Sequence, residues 1–220
     1  MAGYRTVLFD LDGTLLDTAA MIITSLRHAL ALHLDYDPGD ALLLAGIGTT
    51  LHDQLREHAI RARSRSVDEA LVRGLAETYI EHNHGIHDAL VGAFPGVVEV
   101  LDHLRGAGVR LGIVTSKGKA IAERGLDLCG LRAHFEVVIT AEDVERHKPH
   151  PEPVHTALRA LGVSAAHALF VGDSPHDVNA GNAAGVATGA ALWGPFPRDV
   201  LRPSGPTHWL DRVGDVLKLL

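Results

Sequence analysis

Cysteine is almost absent from this chain: Cys129 is the only one in 220 residues. No intrachain disulfide can form, so an oxidising compartment would add nothing to stability, and a reducing, cytoplasmic setting is the expectation. Aromatic residues are scarce at 5%, and basic residues do not prevail, since 20 Lys and Arg against 27 Asp and Glu leave a formal net charge of −7. These two shortages exclude a protein that coats nucleic acid, which needs a basic face and stacking platforms. One short basic run, Arg61-Ala62-Arg63-Ser64-Arg65, reads as a loop. Long apolar runs are missing too. The uncharged stretch from Val178 to Phe196 is interrupted by Asn179, Asn182, four glycines and Pro195, which argues against a membrane span. The first apolar run, Val7-Leu8-Phe9, stops at Asp10, so no secretory signal is read there.

What is present is 46% hydrophobic and 21% charged residues, the composition of a soluble globular chain with room for one large domain or a core carrying a smaller one. Buried strands are expected at Arg5 to Phe9, Val109 to Val114, Phe135 to Ile139, Ala168 to Val171 and Val186 to Leu192, with Thr207 to Leu210 weaker. Between them lie helical patterns. Val97, Val98, Leu101 and Leu104 form a stripe that stops at Gly106, and Pro151 opens a helix that Gly162 closes. Alternating strands and helices predict an α/β fold, a doubly wound and mostly parallel sheet. The stretch 17–87 breaks the alternation with successive helices: Ile22, Ile23, Leu26 and Leu30, then Leu51 and Leu55, then a helix opened by the capping box Ser66-Val67-Asp68-Glu69 and continued by Leu71, Leu75 and Tyr79. It is expected to be a helical insertion above a core of 1–16 and 88–220. Hinges are expected at Asp17-Thr18 and in the solvated segment His82-Asn83-His84-Gly85-Ile86-His87-Asp88.

Chemistry concentrates at strand ends. The first strand runs into Asp10-Leu11-Asp12-Gly13-Thr14, the second into Thr115-Ser116, and the fourth into Gly172-Asp173-Ser174-Pro175-His176-Asp177, while Lys148-Pro149 follows the third by a short connection. A parallel sheet brings these clusters to one edge. Carboxylates gathered there repel by about 4 kcal/mol per pair at 4 Å and an effective dielectric of 20, so a cation must sit among them. With only oxygen ligands on offer, the ion is expected to be hard, such as Mg²⁺. Lys148 and Thr115 can then hold phosphate oxygens, which is the chemistry of phosphoryl transfer to an aspartate.

These motifs resemble the four motifs of the haloacid dehalogenase superfamily, in order and across essentially the whole chain. The helical insertion resembles the C1 cap of its phosphatases. Ile47-Gly48-Thr49-Thr50-Leu51-His52-Asp53, Gly112 to Lys117, Glu142-Asp143-Val144, Lys148 to Pro153 and Trp193-Gly194 are similar to the group of phosphoglycolate phosphatases and bacterial pyrophosphatases of this superfamily. The resemblance implies that Asp10 is the nucleophile and Asp12 the acid, then the base. It implies that Mg²⁺ is held by Asp10, the Asp12 backbone carbonyl and Asp173, with Asp177 inside the shell or behind a water. Thr115, Ser116 and Lys148 would bind phosphate, Ser116 and Gly13 chiefly through backbone. Thr14 and Ser174 would support the acids, and Gly48 and Thr49 would fall in the specificity loop of the cap. A small phosphorylated substrate follows, with phosphoglycolate or pyrophosphate ahead of macromolecules.

Three rivals share parts of this pattern. A phospho-aspartate signalling module uses an aspartate, a hydroxyl and a lysine, but places its aspartate after a later strand and lacks the helical insertion. Dehalogenation uses the same nucleophile but typically not the second aspartate. A phosphosugar mutase resembling β-phosphoglucomutase shares Asp12 and the cap, and differs in keeping phosphate on its product. His147, His150 and His176 flank the site and are read as tuning groups or as ordinary loop histidines.

Overall fold

All six expected strands pair in a single parallel sheet in the computed structural model, which describes residues 3–63 and 67–220. They are β1 (Thr6–Phe9), β2 (Arg110–Val114), β3 (Val137–Ile139), β4 (Ala168–Gly172), β5 (Ala187–Ala191) and β6 (His208–Leu210), in the order β3-β2-β1-β4-β5-β6. Phe9 lies opposite Ile113 of β2 and Val171 of β4, so Asp10 leaves the sheet level with Val114 and Gly172. The strand order reverses at β1 and β4, where open α/β sheets form a crevice beyond the strand ends.

Alternation along each strand explains the layers. Val7, Phe9, Leu111, Ile113, Leu169 and Val171 face one apolar cluster, and Leu8, Val114, Ile139 and Phe170 face another. Successive side chains of a strand point to opposite faces, so a sheet with both faces covered needs continuous apolar strands. Helices α5 (Val97–Gly106) and α6 (Lys119–Leu128) cover the first face through Val97, Leu101, Leu104 and Leu126. Helices α7 (Glu152–Leu161) and α8 (Pro175–Ala183) cover the second through Val154, Leu158 and Ala180. Gly162 ends α7 in the left-handed region at φ 64°, as its place after the last apolar residue suggested. A short α9 (Arg198–Leu201) precedes β6.

Between β1 and α5 the chain forms only helices among the described residues: α1 (Ala19–Leu34), α2 (Asp40–Ala45), α3 (Leu51–Arg63) and α4 (Glu69–Leu90). Leu26, Leu30, Leu43, Leu55 and Leu75 are fully buried in a shared cluster that reaches Val178 and Phe196 of the core. The two chain crossings between insertion and core run side by side. Asp17 N–H donates to Gly92 O at 2.8 Å, and Phe94 N–H donates to Leu15 O at 3.0 Å.

Two local expectations are corrected, and a third falls on a residue outside the described ones. The segment from His82 to Asp88 is no solvated hinge but the last part of α4, with Asn83 3% exposed and His87 fully buried. Val72, Leu75, Tyr79, Asn83 and His87 recur at helical spacing, so the inward face continues with polar residues that conceal it in the sequence. The second crossing therefore lies at Val91 to Phe94, beyond Gly85. Asp88 bonds the buried His87 ring at 2.9 Å and Arg124 of α6 at 2.6 Å, tying the end of α4 to the core. Arg61 and Arg63 belong to α3, where Arg61 pairs with Glu57 one turn back. Ser66, expected to cap α4, and Arg65 of the basic run lie outside the described residues, and Asp68 is the residue whose side chain accepts the Leu71 N–H at 2.8 Å. Among the described residues no helix is long and apolar enough to cross a membrane.

Candidate active site

Asp10 is fixed where β1 ends, its N–H donating to Val171 O at 2.9 Å and only 3% of its surface exposed. The turn that follows requires glycine at position 13, where φ is 86° and a Cβ would stand 2.5 Å from Asp173 Oδ2. This close approach brings the β1 and β4 acids together. Ligand atoms of Asp10, Asp173 and Asp177 all lie within 4.8 Å of one another, and all three residues are buried.

Each acid is held differently. Lys148 Nζ donates to Asp10 Oδ1 at 2.6 Å and to Asp177 Oδ1 at 2.5 Å. The other Asp177 oxygen accepts from Ser174 N–H at 3.0 Å and Ser174 Oγ at 2.6 Å, closing a capping box at the start of α8. Asp173 Oδ1 accepts from Thr14 Oγ1 at 2.7 Å, while Asp173 Oδ2 is buried with no hydrogen-bond partner. Trp193 Nε1 donates to Thr14 O at 2.9 Å and steadies the acidic loop from the β5 side.

Burial dominates the electrostatics. It pushes the Asp10 carboxyl up from 3.8 to about 7, with Asp177 adding to the rise and Lys148 opposing it. Asp173 is raised well above the ordinary carboxylate value by burial and then by Asp177 and Asp10. Burial disfavours the Lys148 ammonium, but Asp10 and Asp177 outweigh it and hold the charge on the lysine. An orphaned carboxylate oxygen and three oxygen-donor acids in one buried cluster fit a hard divalent cation, which would return those carboxyls to the ionised form.

Asp12 stands apart from this cluster. Its Oδ1 accepts from Thr18 Oγ1 and from Lys117 Nζ, both at 2.7 Å, and it lines a cavity of about 510 Å³ between the core and the helical insertion. Asp10, Thr115, Ser116, Gly48 and Thr49 line the same cavity. Lys148, Asp173 and Asp177 are set beneath it, each no more than 3% exposed. Thr115 Oγ1 accepts the Lys117 N–H at 3.1 Å. The Ser116 hydroxyl donates to Gly48 O at 2.7 Å and joins the β2 loop to the insertion, which leaves the expected backbone role untouched. Gly48, at φ 100°, sits so close to the acidic loop that a Cβ would lie 2.8 Å from Ser174 Oγ. His147 lines the cavity, His176 is held toward its neutral form mainly by burial, and His150 accepts the Glu152 N–H at 3.1 Å at the start of α7.

Several residues at the site escaped the sequence reading. Lys117 is the foremost; its place two residues after Thr115 at a strand end was a usable signal. Gln54, Tyr79 and Asn83 line the cavity from the insertion; in the sequence Tyr79 reads as part of an apolar stripe, Asn83 as part of a solvated hinge, and Gln54 carries no signal of its own.

Comparison with known proteins agrees with this architecture. Residues 7–191 match the model of the haloacid dehalogenase-like hydrolase family. Pyrophosphatase PpaX of Bacillus cereus (strain AH820) is 40% identical over 216 residues, covering 98% of this chain and 96% of that protein. A predicted phosphoglycolate phosphatase from Haemophilus somnus superposes with a TM-score of 0.86 at 25% identity, covering 99% of this chain and 98% of that one. A hydrolase from Pseudomonas syringae, at 23% identity and a TM-score of 0.86 over 97% of this chain and 96% of its own, shares the fold.

Proposed function

This chain belongs to the haloacid dehalogenase-like hydrolase family, and on that premise we propose that it is a Mg²⁺-dependent phosphatase of small phosphorylated metabolites, acting through an aspartyl phosphate. The observation that carries the reading is the separation of the two strand-end aspartates. Asp10 is buried against Lys148, Asp173 and Asp177, whereas the carboxylate of Asp12, two residues on, is turned to the cavity and to Lys117.

In this reading an Asp10 carboxylate oxygen attacks phosphorus while the bond to the leaving oxygen breaks, and Asp12 gives that oxygen its proton. Asp12 then takes a proton from the water that attacks phosphorus, releasing inorganic phosphate and restoring Asp10. Lys148 offsets charge at Asp10, and Thr115 with Ser116 borders the phosphoryl group. Asp10, the Asp12 backbone carbonyl and Asp173 would hold Mg²⁺, which when bound would supply positive charge that offsets the repulsion of an anionic nucleophile and an anionic phosphoryl group. Both Asp177 oxygens already have partners in Lys148 and Ser174, which favours a place for Asp177 behind a water.

The helices α1 to α4 serve as the cap, which ends with α4 at Leu90 and not at the expected residue 87, with Gly48 and Thr49 on its cavity side. Their enclosure of the cavity favours phosphoglycolate or pyrophosphate over macromolecules, since a large substrate would hold the lid open to water. The single half-buried cysteine suits work in the cytoplasm. The test is a panel of pyrophosphate, phosphoglycolate, sugar phosphates and a phosphopeptide, with released phosphate measured with Mg²⁺ and after chelation. Turnover of a small member that needs metal and is lost in Asp10→Asn is expected. Full activity in Asp10→Asn refutes the mechanism, a preference for the phosphopeptide refutes the closed cap, and phosphate retained on a sugar product identifies the mutase.

A further inference from the structure

Two lysines meet the acids of this site, and their ammonium groups differ in how fully they are occupied. An ammonium carries three donors and no acceptor. Lys148 Nζ has an acceptor for each: Asp10 Oδ1 at 2.6 Å, Asp177 Oδ1 at 2.5 Å and Val114 O at 3.4 Å. Lys117 Nζ has one among the described residues, Asp12 Oδ1 at 2.7 Å, although its side chain is only 9% exposed. Two of its N–H donors are therefore left for a group from outside the protein.

Lys117 is also singular in the cavity wall, the only lysine or arginine among the described residues that line it. The rest of the wall offers the neutral Gln54, Tyr79 and Asn83, the histidines His52, His84 and His147, and the carboxylate of Glu142, which adds no positive charge; burial and then Arg124 hold His84 toward the uncharged form. An anion enclosed there needs a fixed cation in reach, because a buried unpaired charge is strongly unfavourable. Position follows from Asp12. An oxygen that takes a proton from Asp12 lies one hydrogen bond from its carboxylate, and Lys117 Nζ lies one hydrogen bond from the same carboxylate. Two such bonds, with roughly 2 Å between the oxygens of one carboxylate, place Nζ within about 7 Å of the leaving oxygen.

We propose that Lys117 is a specificity-determining residue that binds an anionic group carried one or two atoms beyond the leaving oxygen, so that the substrates are phosphate compounds with a negatively charged leaving group. The inference rests on the phosphatase reading and on Asp12 as proton donor, and it narrows the substrate class. The second phosphoryl group of pyrophosphate and the carboxylate of phosphoglycolate both satisfy it, while the alcohol of a neutral ester does not. It also separates the lysines: Lys148 serves the nucleophile and Lys117 serves the leaving group.

The test compares phosphoglycolate and pyrophosphate with 2-hydroxyethyl phosphate, which replaces the carboxylate of phosphoglycolate by a neutral hydroxymethyl group and makes a similar demand on the acid. Wild type should favour the two anionic substrates. Lys117→Met should lose roughly 10- to 100-fold more kcat/KM on them than on 2-hydroxyethyl phosphate, the range of a charge-assisted hydrogen bond, with KM carrying most of the difference. Lys117→Arg should recover most of it. Equal losses on all three would mean that Lys117 only positions Asp12, and would overturn the inference while leaving the phosphatase reading intact. So would a wild type that prefers 2-hydroxyethyl phosphate. Wild-type inactivity on every phosphate compound overturns the phosphatase reading itself. Calorimetric titration with methylenediphosphonate and with inorganic phosphate measures the same preference without turnover: Lys117→Met should weaken the diphosphonate at least tenfold more than phosphate, and equal weakening overturns the inference.

Discussion

Replacing Asp10 by asparagine should make the metal-free protein more stable at pH 8 while abolishing turnover. Burial, reinforced by Asp177 and opposed by Lys148, lifts the Asp10 carboxyl from 3.8 to about 7. A group whose folded value exceeds its unfolded value binds more protons in the folded chain between the two. Its contribution is therefore fully favourable below about 4 and is lost as the pH rises through about 7. At 1.36 kcal/mol per unit the loss is about 4 kcal/mol. Asparagine keeps the shape without the charge, but gives up a charged hydrogen bond with Lys148, so a net gain on the order of 2 kcal/mol is expected at pH 8. The assay is urea denaturation of wild type and variant in EDTA at pH 5 and pH 8. The variant should gain on wild type as the pH rises, and excess Mg²⁺ should reverse the ranking at pH 8, because a divalent ion stabilises the carboxylate and not the amide. A stability difference unchanged between pH 5 and pH 8 would refute the argument, because it would mean that Asp10 ionises without cost in its buried place.

Much of this site could be read from the chain because strand ends are legible. Residues such as Val7 to Phe9 and Leu169 to Val171 are apolar on both faces and stop at an acidic, glycine-containing turn, which fits a covered parallel strand. Once the strands are fixed, Asp10, Thr115 and Asp173 fall on one edge without any knowledge of side-chain geometry, and Lys148 follows by a short loop. Pairing beyond that was not legible. That Ser174 and Lys148 divide the two oxygens of Asp177, or that Asp173 keeps one oxygen free, depends on rotamers that the sequence does not display.

The insertion was legible as helices but not in what it buries. In α4 the apolar face of Val72 and Leu75 passes into Tyr79, Asn83 and His87, and a pattern of histidines and asparagine around Gly85 imitates a loop. These residues go inward because they meet polar partners. Asn83 Nδ2 lies 3.3 Å from Ser25 Oγ and 3.5 Å from the Tyr79 hydroxyl, and His87 Nδ1 has Asp88, although His87 Nε2 is buried without a partner. A hydrogen-bonded polar group can occupy a position that periodicity reserves for a hydrophobic one. Lys117 stands two residues past Thr115 in the loop after β2, and its pairing with Asp12 is a side-chain contact that the sequence does not display.

Lys148→Met should cost 3–5 kcal/mol in the metal-free protein, the range for leaving buried charges without their partner, and Mg²⁺ should recover more stability for the variant than for wild type; equal Mg²⁺ effects in thermal denaturation would contradict this. Asp173→Asn should raise the Mg²⁺ concentration needed for half-maximal activity at least tenfold with a smaller change in saturated kcat, and an unshifted titration would remove Asp173 from the metal ligands. Gly48→Ala places a side chain at φ 100° and 2.8 Å from Ser174 Oγ, a strain of about 1–2 kcal/mol at the contact between cap and core, so kcat/KM should fall about tenfold and the melting temperature by a few degrees. His58 supplies a test of the cap alone. Its ring is 4% exposed, its Nδ1 has no partner, and burial is the main cause that lowers its pKa from 6.5, with Glu57 opposing and Arg61 assisting. A folded value below the unfolded one means that the unfolded chain takes up the proton first. The stability that His58 contributes is therefore present above about 6.5 and is lost as the pH falls through the lowered folded value. His58→Gln cannot take up that proton, so melting temperatures from pH 7.5 to pH 5 should fall less steeply in the variant than in wild type. Comparing each variant with wild type cancels the opposite trend of Asp10, which both proteins share. Parallel curves would show that His58 is protonated as readily inside the cap as in the unfolded chain, and that the ring is not buried in the neutral form.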